Sequence, residues 1–128
     1  MDNGHTKQVD TVMVVDDELF FRGLLRDILA RDGLHVVAEA SDGTEAVALY
    51  REYSPAIVLM DIYMPEKSGI DSTREILALD PGAKILICSG VGYDQDLEAA
   101  IQAGARGVIY KPFYDEEVLA LVRKTLSE

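Results

Sequence analysis

The sequence predicts an α/β protein: a doubly wound, five-stranded parallel sheet with helices on both faces. Three observations carry that expectation. Short apolar runs alternate with segments of helical period five times along the chain. Those runs are continuously apolar, as strands covered on both faces are. No internal repeat and no long linker separates the units, so a single sheet with right-handed crossovers accommodates all five. The expected strand order is 2-1-3-4-5, and that order places a site at the carboxyl ends of strands 1 and 3.

The elements follow in order. Residues Met1 to Asp10 are polar and aperiodic and read as a loose leader, with the folded domain spanning 11–128. Thr11 to Val15 is a short apolar strand that stops at Asp16-Asp17. Phe20, Phe21, Leu24, Leu25, Ile28 and Leu29 recur at helical spacing, and Asp32-Gly33 ends that helix. Leu34 to Ala40 reads as the second strand. After the Ser41-Asp42-Gly43 turn, Thr44 is the expected cap of a helix carrying Ala46, Val47, Leu49 and Tyr50.

The apolar run Ile57–Met60 is the third strand and ends on Asp61. A third helix carries Ile70, Thr73, Ile76 and Leu77, and Asp80-Pro81-Gly82 turns the chain. Lys84 to Ser89 is the fourth strand. Leu97, Ala100, Ile101 and Ala103 mark a fourth helix closed by Gly104. Gly107 to Tyr110 is the fifth strand, and Val118, Leu119, Leu121, Val122 and Leu126 form the last helix. Phe20-Phe21 reads as mostly core, and Tyr50, Tyr53 and Tyr93 as half-buried aromatics.

Bulk properties narrow the function. The net charge of -11, from 12 basic and 23 acidic residues, would repel a phosphate backbone or anionic lipid. No nucleic-acid partner is expected. A single cysteine, Cys88, excludes an intrachain disulfide and reads as an inert core thiol. No apolar stretch is long enough for membrane insertion, and the N-terminus lacks the apolar segment of a signal peptide. A cytoplasmic location is expected.

Strand ends select the chemistry. Strand 1 ends at Asp16-Asp17, strand 3 at Asp61, strand 4 at Ser89, and strand 5 at Lys111. Three carboxylates, a hydroxyl and an ammonium therefore converge on one sheet edge. Clustered carboxylates raise at least one pKa unless a cation sits among them. Oxygen-only ligands suit Mg²⁺, which shares its shell with phosphate oxygens. The natural guest is a phosphoryl group between Mg²⁺ and Lys111, with Ser89 donating to a phosphoryl oxygen. An aspartate can accept a phosphoryl group, and Asp61, lying centrally, is the preferred nucleophile.

Val14-Val15-Asp16-Asp17, Met60-Asp61-Ile62-Tyr63-Met64-Pro65 with Gly69, Ser89-Gly90 and Lys111-Pro112-Phe113 together resemble the response-regulator receiver domain of two-component signalling. The likeness is to its single-domain, CheY-like chemotaxis type and runs from about Thr11 to Ser127. It implies a flavodoxin-like (βα)5 fold and a signalling switch rather than an enzyme with a separate substrate, one that catalyses its own phosphotransfer and a slow self-dephosphorylation. Asp61 would take phosphate from a histidine kinase. Asp17 and Asp61 would ligate Mg²⁺ directly, Asp16 largely through water, and the Tyr63 backbone carbonyl would be a further ligand. Ser89 and Tyr110 would form the switch pair, and the Lys111-Pro112 bond would be cis. The output would be a population shift in the face made by the fourth helix, fifth strand and fifth helix, from about Val91 to Val122.

The resemblance implies a monomer whose partner docks on that face, as chemotaxis regulators dock on a flagellar motor switch protein. A phosphorelay intermediate, another single-domain regulator, or a receiver cut from a longer regulator are the alternatives. A flavin mononucleotide carrier shares the strand order, but Asp16-Asp17-Glu18 would repel its phosphate. A dehalogenase-type phosphatase needs two aspartates two residues apart on strand 1, and here they are adjacent. Tyr63 and Val91 flank the route by which water would reach an aspartyl phosphate. Neither would orient water, so a long-lived phosphoryl group is expected.

Overall fold

A computed structural model describes residues 10–90 and 94–128. The chain alternates strand and helix throughout: β1 (Thr11–Val15), α1 (Leu19–Arg31), β2 (His35–Ala40), α2 (Gly43–Tyr53), β3 (Ile57–Asp61), α3 (Gly69–Leu79), β4 (Ile85–Ser89), α4 (Asp94–Gln102), β5 (Gly107–Tyr110) and α5 (Asp115–Leu126). The sheet order is β2-β1-β3-β4-β5, and every pairing is parallel. The expected doubly wound architecture is the one observed.

Alternation along each strand divides the core in two. Met13, Val15, Val58, Met60, Ile85 and Ile87 face one way and pack with Ala46, Val47, Tyr50, Ile76, Leu97 and Ala100 from α2, α3 and α4. Val12, Val14, Ile57, Leu59, Leu86, Cys88 and Ile109 face the other way, against α1 and α5. Both faces being covered is why β1, β3 and β4 are buried along their whole length.

Local chemistry sets the element ends and corrects three expectations. The second strand starts at His35, not Leu34, because Leu34 is held in the turn that closes α1. Its N–H donates to the Leu29 carbonyl and that of Gly33 to the Ala30 carbonyl, both at 3.1 Å. Gly33 itself has φ +75°, and this paired back-bonding closes a helix through a left-handed glycine. Similarly, β4 starts at Ile85 rather than Lys84, although the Lys84 carbonyl still accepts from the Val58 N–H at 2.9 Å. Asp42, not Thr44, caps α2: its carboxylate accepts from the Glu45 N–H at 2.7 Å. Gly43 can open that helix because it lacks a Cβ, which would overlap the Lys67 carbonyl and the Ser72 hydroxyl.

The aromatic expectations also divide. Tyr50 is buried and its hydroxyl donates to Asp80 Oδ2 at 2.7 Å, whereas Tyr53 is exposed. Burial disfavours the Tyr50 phenolate, and the neighbouring Asp80 disfavours it further, so its pKa rises well above the ordinary tyrosine value. Tyr93 lies outside the described residues. Phe20 is exposed at the start of α1, while Phe21 is half-buried.

Candidate functional site

The carboxyl ends of the strands place the expected groups together. Asp16 follows β1 directly and its N–H donates to the Ala40 carbonyl at 3.0 Å, continuing the sheet one residue past the strand. That leaves Asp16 fully buried, while Asp17 is exposed. Asp61 is the last residue of β3 and is 7 % exposed. One carboxylate oxygen from each of Asp16, Asp17 and Asp61 lies within 4.8 Å of the others.

Lys111, just past β5, reaches back over this group. Its Nζ lies 3.0 Å from Asp16 Oδ2 and 3.5 Å from Asp61 Oδ1. The Lys111-Pro112 bond is cis, as the resemblance implied. Burial alone would lower the ammonium pKa, but the charges of Asp61 and Asp16 outweigh it and hold Lys111 above its ordinary value. Asp61 behaves in the opposite sense to most ion-paired carboxylates. Burial and the charge of Asp16 push its pKa from 3.8 up to about 6, against the pull of Lys111 and of the Ile62 N–H, which donates to Oδ1 at 3.0 Å.

The loop after β3 shapes this pocket. Glu66 adopts φ +68°, and the Lys67 N–H donates to the Pro65 carbonyl at 2.8 Å across it, a tight reversal. Lys67 then pairs with Glu75 of α3. The Gly69 N–H donates to the Ile62 carbonyl at 2.8 Å, bringing the start of α3 against the Asp61 backbone. Tyr63 lies in this loop with its ring about half exposed.

Ser89 and Tyr110 are brought side by side by the sheet register, Ser89 opposite Tyr110. The Ser89 hydroxyl is buried and donates to the Gly90 carbonyl at 3.2 Å, so it is engaged within its own loop. Tyr110 points outward, about half exposed. Val91 lies outside the described residues. Cys88, one residue before Ser89, is buried, and burial with the nearby Asp61 charge pushes its thiol pKa far upward, which fits an inert core thiol.

Two residues at the site escaped the sequence reading. Arg22 donates from Nη1 to the Asp16 carbonyl at 2.6 Å and pairs through Nε with Glu39 at 3.4 Å. Phe21 places its ring 4.2 Å from Lys111 Nζ. Helical periodicity marks Phe21 as apolar-facing but cannot report which cation it meets.

The oxygen donors suit a hard divalent cation. Asp16 Oδ2 is buried without an aligned hydrogen-bond donor among the described residues, and Lys111 is its ion-pair neighbour. Three clustered carboxylates facing one ammonium leave negative charge to be neutralised, which is the chemistry Mg²⁺ serves. Among the described residues no helix is long and apolar enough to cross a membrane.

Comparison with known proteins follows the same line. The family model described as "response regulator receiver domain" matches residues 12–123. The chemotaxis protein CheY of Bacillus subtilis is 46% identical over 116 residues, covering 91% of this chain and 97% of that protein. The CheY of Thermotoga maritima is 46% identical over 113 residues, covering 88% and 94%. Among solved structures, the CheX–CheY–BeF3–Mg complex from Borrelia burgdorferi superimposes with a TM-score of 0.87 at 31% identity, covering 92% of this chain and 90% of that one.

Proposed function

The chain belongs to the response-regulator receiver family of two-component signalling, and on that premise we propose that Asp61 is its phosphoacceptor. It is a CheY-like, phosphorylation-dependent signalling domain, not a classical enzyme. The observation that carries the assignment is the convergence of Asp16, Asp17 and Asp61 oxygens within 4.8 Å, with Lys111 Nζ 3.0 and 3.5 Å from two of those residues.

In this reading an Asp61 carboxylate oxygen attacks the phosphorus of a phosphohistidine on a histidine kinase. The P–N bond breaks, its electron pair stays on the imidazole nitrogen, and that nitrogen takes a proton. Asp17 and Asp61, with Asp16 largely through water and the Tyr63 carbonyl, would hold Mg²⁺. Bound there, the ion would supply charge neutralisation on the phosphoryl oxygens. Lys111 pairs with a phosphoryl oxygen, and Ser89 leaves the Gly90 carbonyl to donate to another. Tyr110 turns from its outward position into the space that Ser89 vacates. Slow self-dephosphorylation of Asp61 then returns the domain to rest.

The altered surface is α4–β5–α5, where Ile101, Tyr110 and Tyr114 are exposed. A chemotaxis partner, with a flagellar motor switch protein as the first candidate, docks there on a monomer. Residues 1–10 are a leader, 11–128 the receiver, and the location is cytoplasmic. The test is labelling with acetyl phosphate and Mg²⁺. The unsubstituted chain takes up one phosphoryl group and Asp61→Asn takes up none; equal labelling of the two would overturn the assignment.

A further inference from the structure

We infer that Phe21 is a positioning residue for Lys111, its ring acting as the wall against which the ammonium is set toward Asp61. This rests on the reading of Asp61 and Lys111 as the phosphoryl-binding pair. Lys111 Nζ sits 4.2 Å from the Phe21 ring centroid, within the range where a ring face attracts a cation. The same Nζ is 3.0 Å from Asp16 Oδ2 and 3.5 Å from Asp61 Oδ1, so the ring adds a third contact to an ammonium already shared by two carboxylates.

The ring is itself braced. Phe113 meets Phe21 edge-to-face with centroids 5.7 Å apart, and Phe20 does so at 5.3 Å. Phe113 is two residues beyond Lys111, so α1 touches the Lys111-Pro112-Phe113 segment at both ends through one side chain. A flexible lysine stem carries about 2 kcal/mol of rotamer entropy. A ring that confines it leaves less to be lost when the ammonium engages a phosphoryl oxygen. Phe21 is half-buried, and the Lys111 side chain beside it is 16% exposed.

The attraction is electrostatic, so it follows the charge on the ring face rather than its shape. Phenylalanine bearing one, two and three ring fluorines at position 21 weakens the face stepwise while nearly preserving volume. Affinity for beryllofluoride with Mg²⁺ and the rate of labelling by acetyl phosphate should both fall stepwise, by about two- to fivefold across the series. Phe21→Leu should fall by at least as much, and Phe21→Tyr should restore the rate. In metal-free protein, the Lys111 ε-methylene proton resonances should be shifted upfield by the ring and should lose that shift in Phe21→Leu. Uptake that is unchanged across the fluorinated series would overturn the role of the ring alone. No uptake by the unsubstituted chain would overturn the phosphoacceptor reading, and this role with it, even where the upfield shift is seen.

Discussion

Gly69 lies so close to Asp61 that a Cβ at position 69 would overlap the Asp61 carbonyl oxygen. The contact is with backbone, which cannot swing aside as a flexible side chain can. Gly69→Ala must therefore displace either the start of α3 or the end of β3, and the Gly69 N–H bond to the Ile62 carbonyl is strained in either case. Overpacking of this kind costs about 1–3 kcal/mol. Urea denaturation should report that loss. Because the displaced backbone carries the proposed acceptor, acetyl phosphate labelling should slow as well, even at temperatures where the variant is fully folded.

Asp61 makes the metal-free protein less stable at neutral pH. Its folded-state pKa, about 6, lies above the ordinary 3.8, so the native state favours the protonated carboxyl. The sign follows: relative to the ionised form, this stabilisation is fully present below pH 3.8 and is lost as pH rises through about 6. Asp61→Asn carries no such charge at any pH. It should therefore be more stable than the unsubstituted chain at pH 7 by about 3 kcal/mol, with the gap closing below pH 4. Denaturant titrations in chelator at several pH values measure this. Adding Mg²⁺ should narrow the gap by stabilising the unsubstituted chain more than the variant.

Cys88 should be silent in the native protein. It is buried on β4 among Leu59, Leu86 and Ile109, and its thiol pKa is pushed far upward by burial first and by Asp61 second. A thiol reagent should leave it unmodified at pH 8 until denaturant is added. Fast reaction in native buffer would mean that β4 opens locally.

How much of this was legible in the sequence depends on the range of the cause. The strands were, because Val12–Val15, Ile57–Met60 and Ile85–Cys88 are apolar on both faces and no helix period fits them. The strand-end residues were too, since parallel winding brings the carboxyl ends of neighbouring strands together whatever the loops do. Element ends were less so. Leu34 looked like strand by its apolar character, but its N–H is taken by Leu29 in the turn that closes α1. The cap of α2 moved from Thr44 to Asp42 because Gly43 is drawn against Lys67 and Ser72, a contact between segments distant in sequence. Phe21 and Arg22 were missed for the same reason. One hydrophobic stripe on α1 can name a buried face, but not that Phe21 meets Lys111 or that Arg22 meets the Asp16 carbonyl.

The lifetime of the phosphoryl group should depend on Tyr63. Its side chain is about half exposed, two residues past Asp61, and is bulkier than an amide that would orient an attacking water. Val91, the other residue expected on that route, lies outside the described residues, so Tyr63 bears the test. Tyr63→Asn replaces a bulky ring with a small amide able to orient water. Its aspartyl phosphate should decay faster, by about tenfold if the amide orients water as a modest general catalyst does. Following loss of label after the phosphodonor is removed gives the rate directly. Denaturant titration of the variant checks that it is folded, and the backbone contacts of Lys67 and Gly69 hold the loop beyond position 63. An unchanged decay rate in a folded Tyr63→Asn protein would show that the ring does not limit access of water.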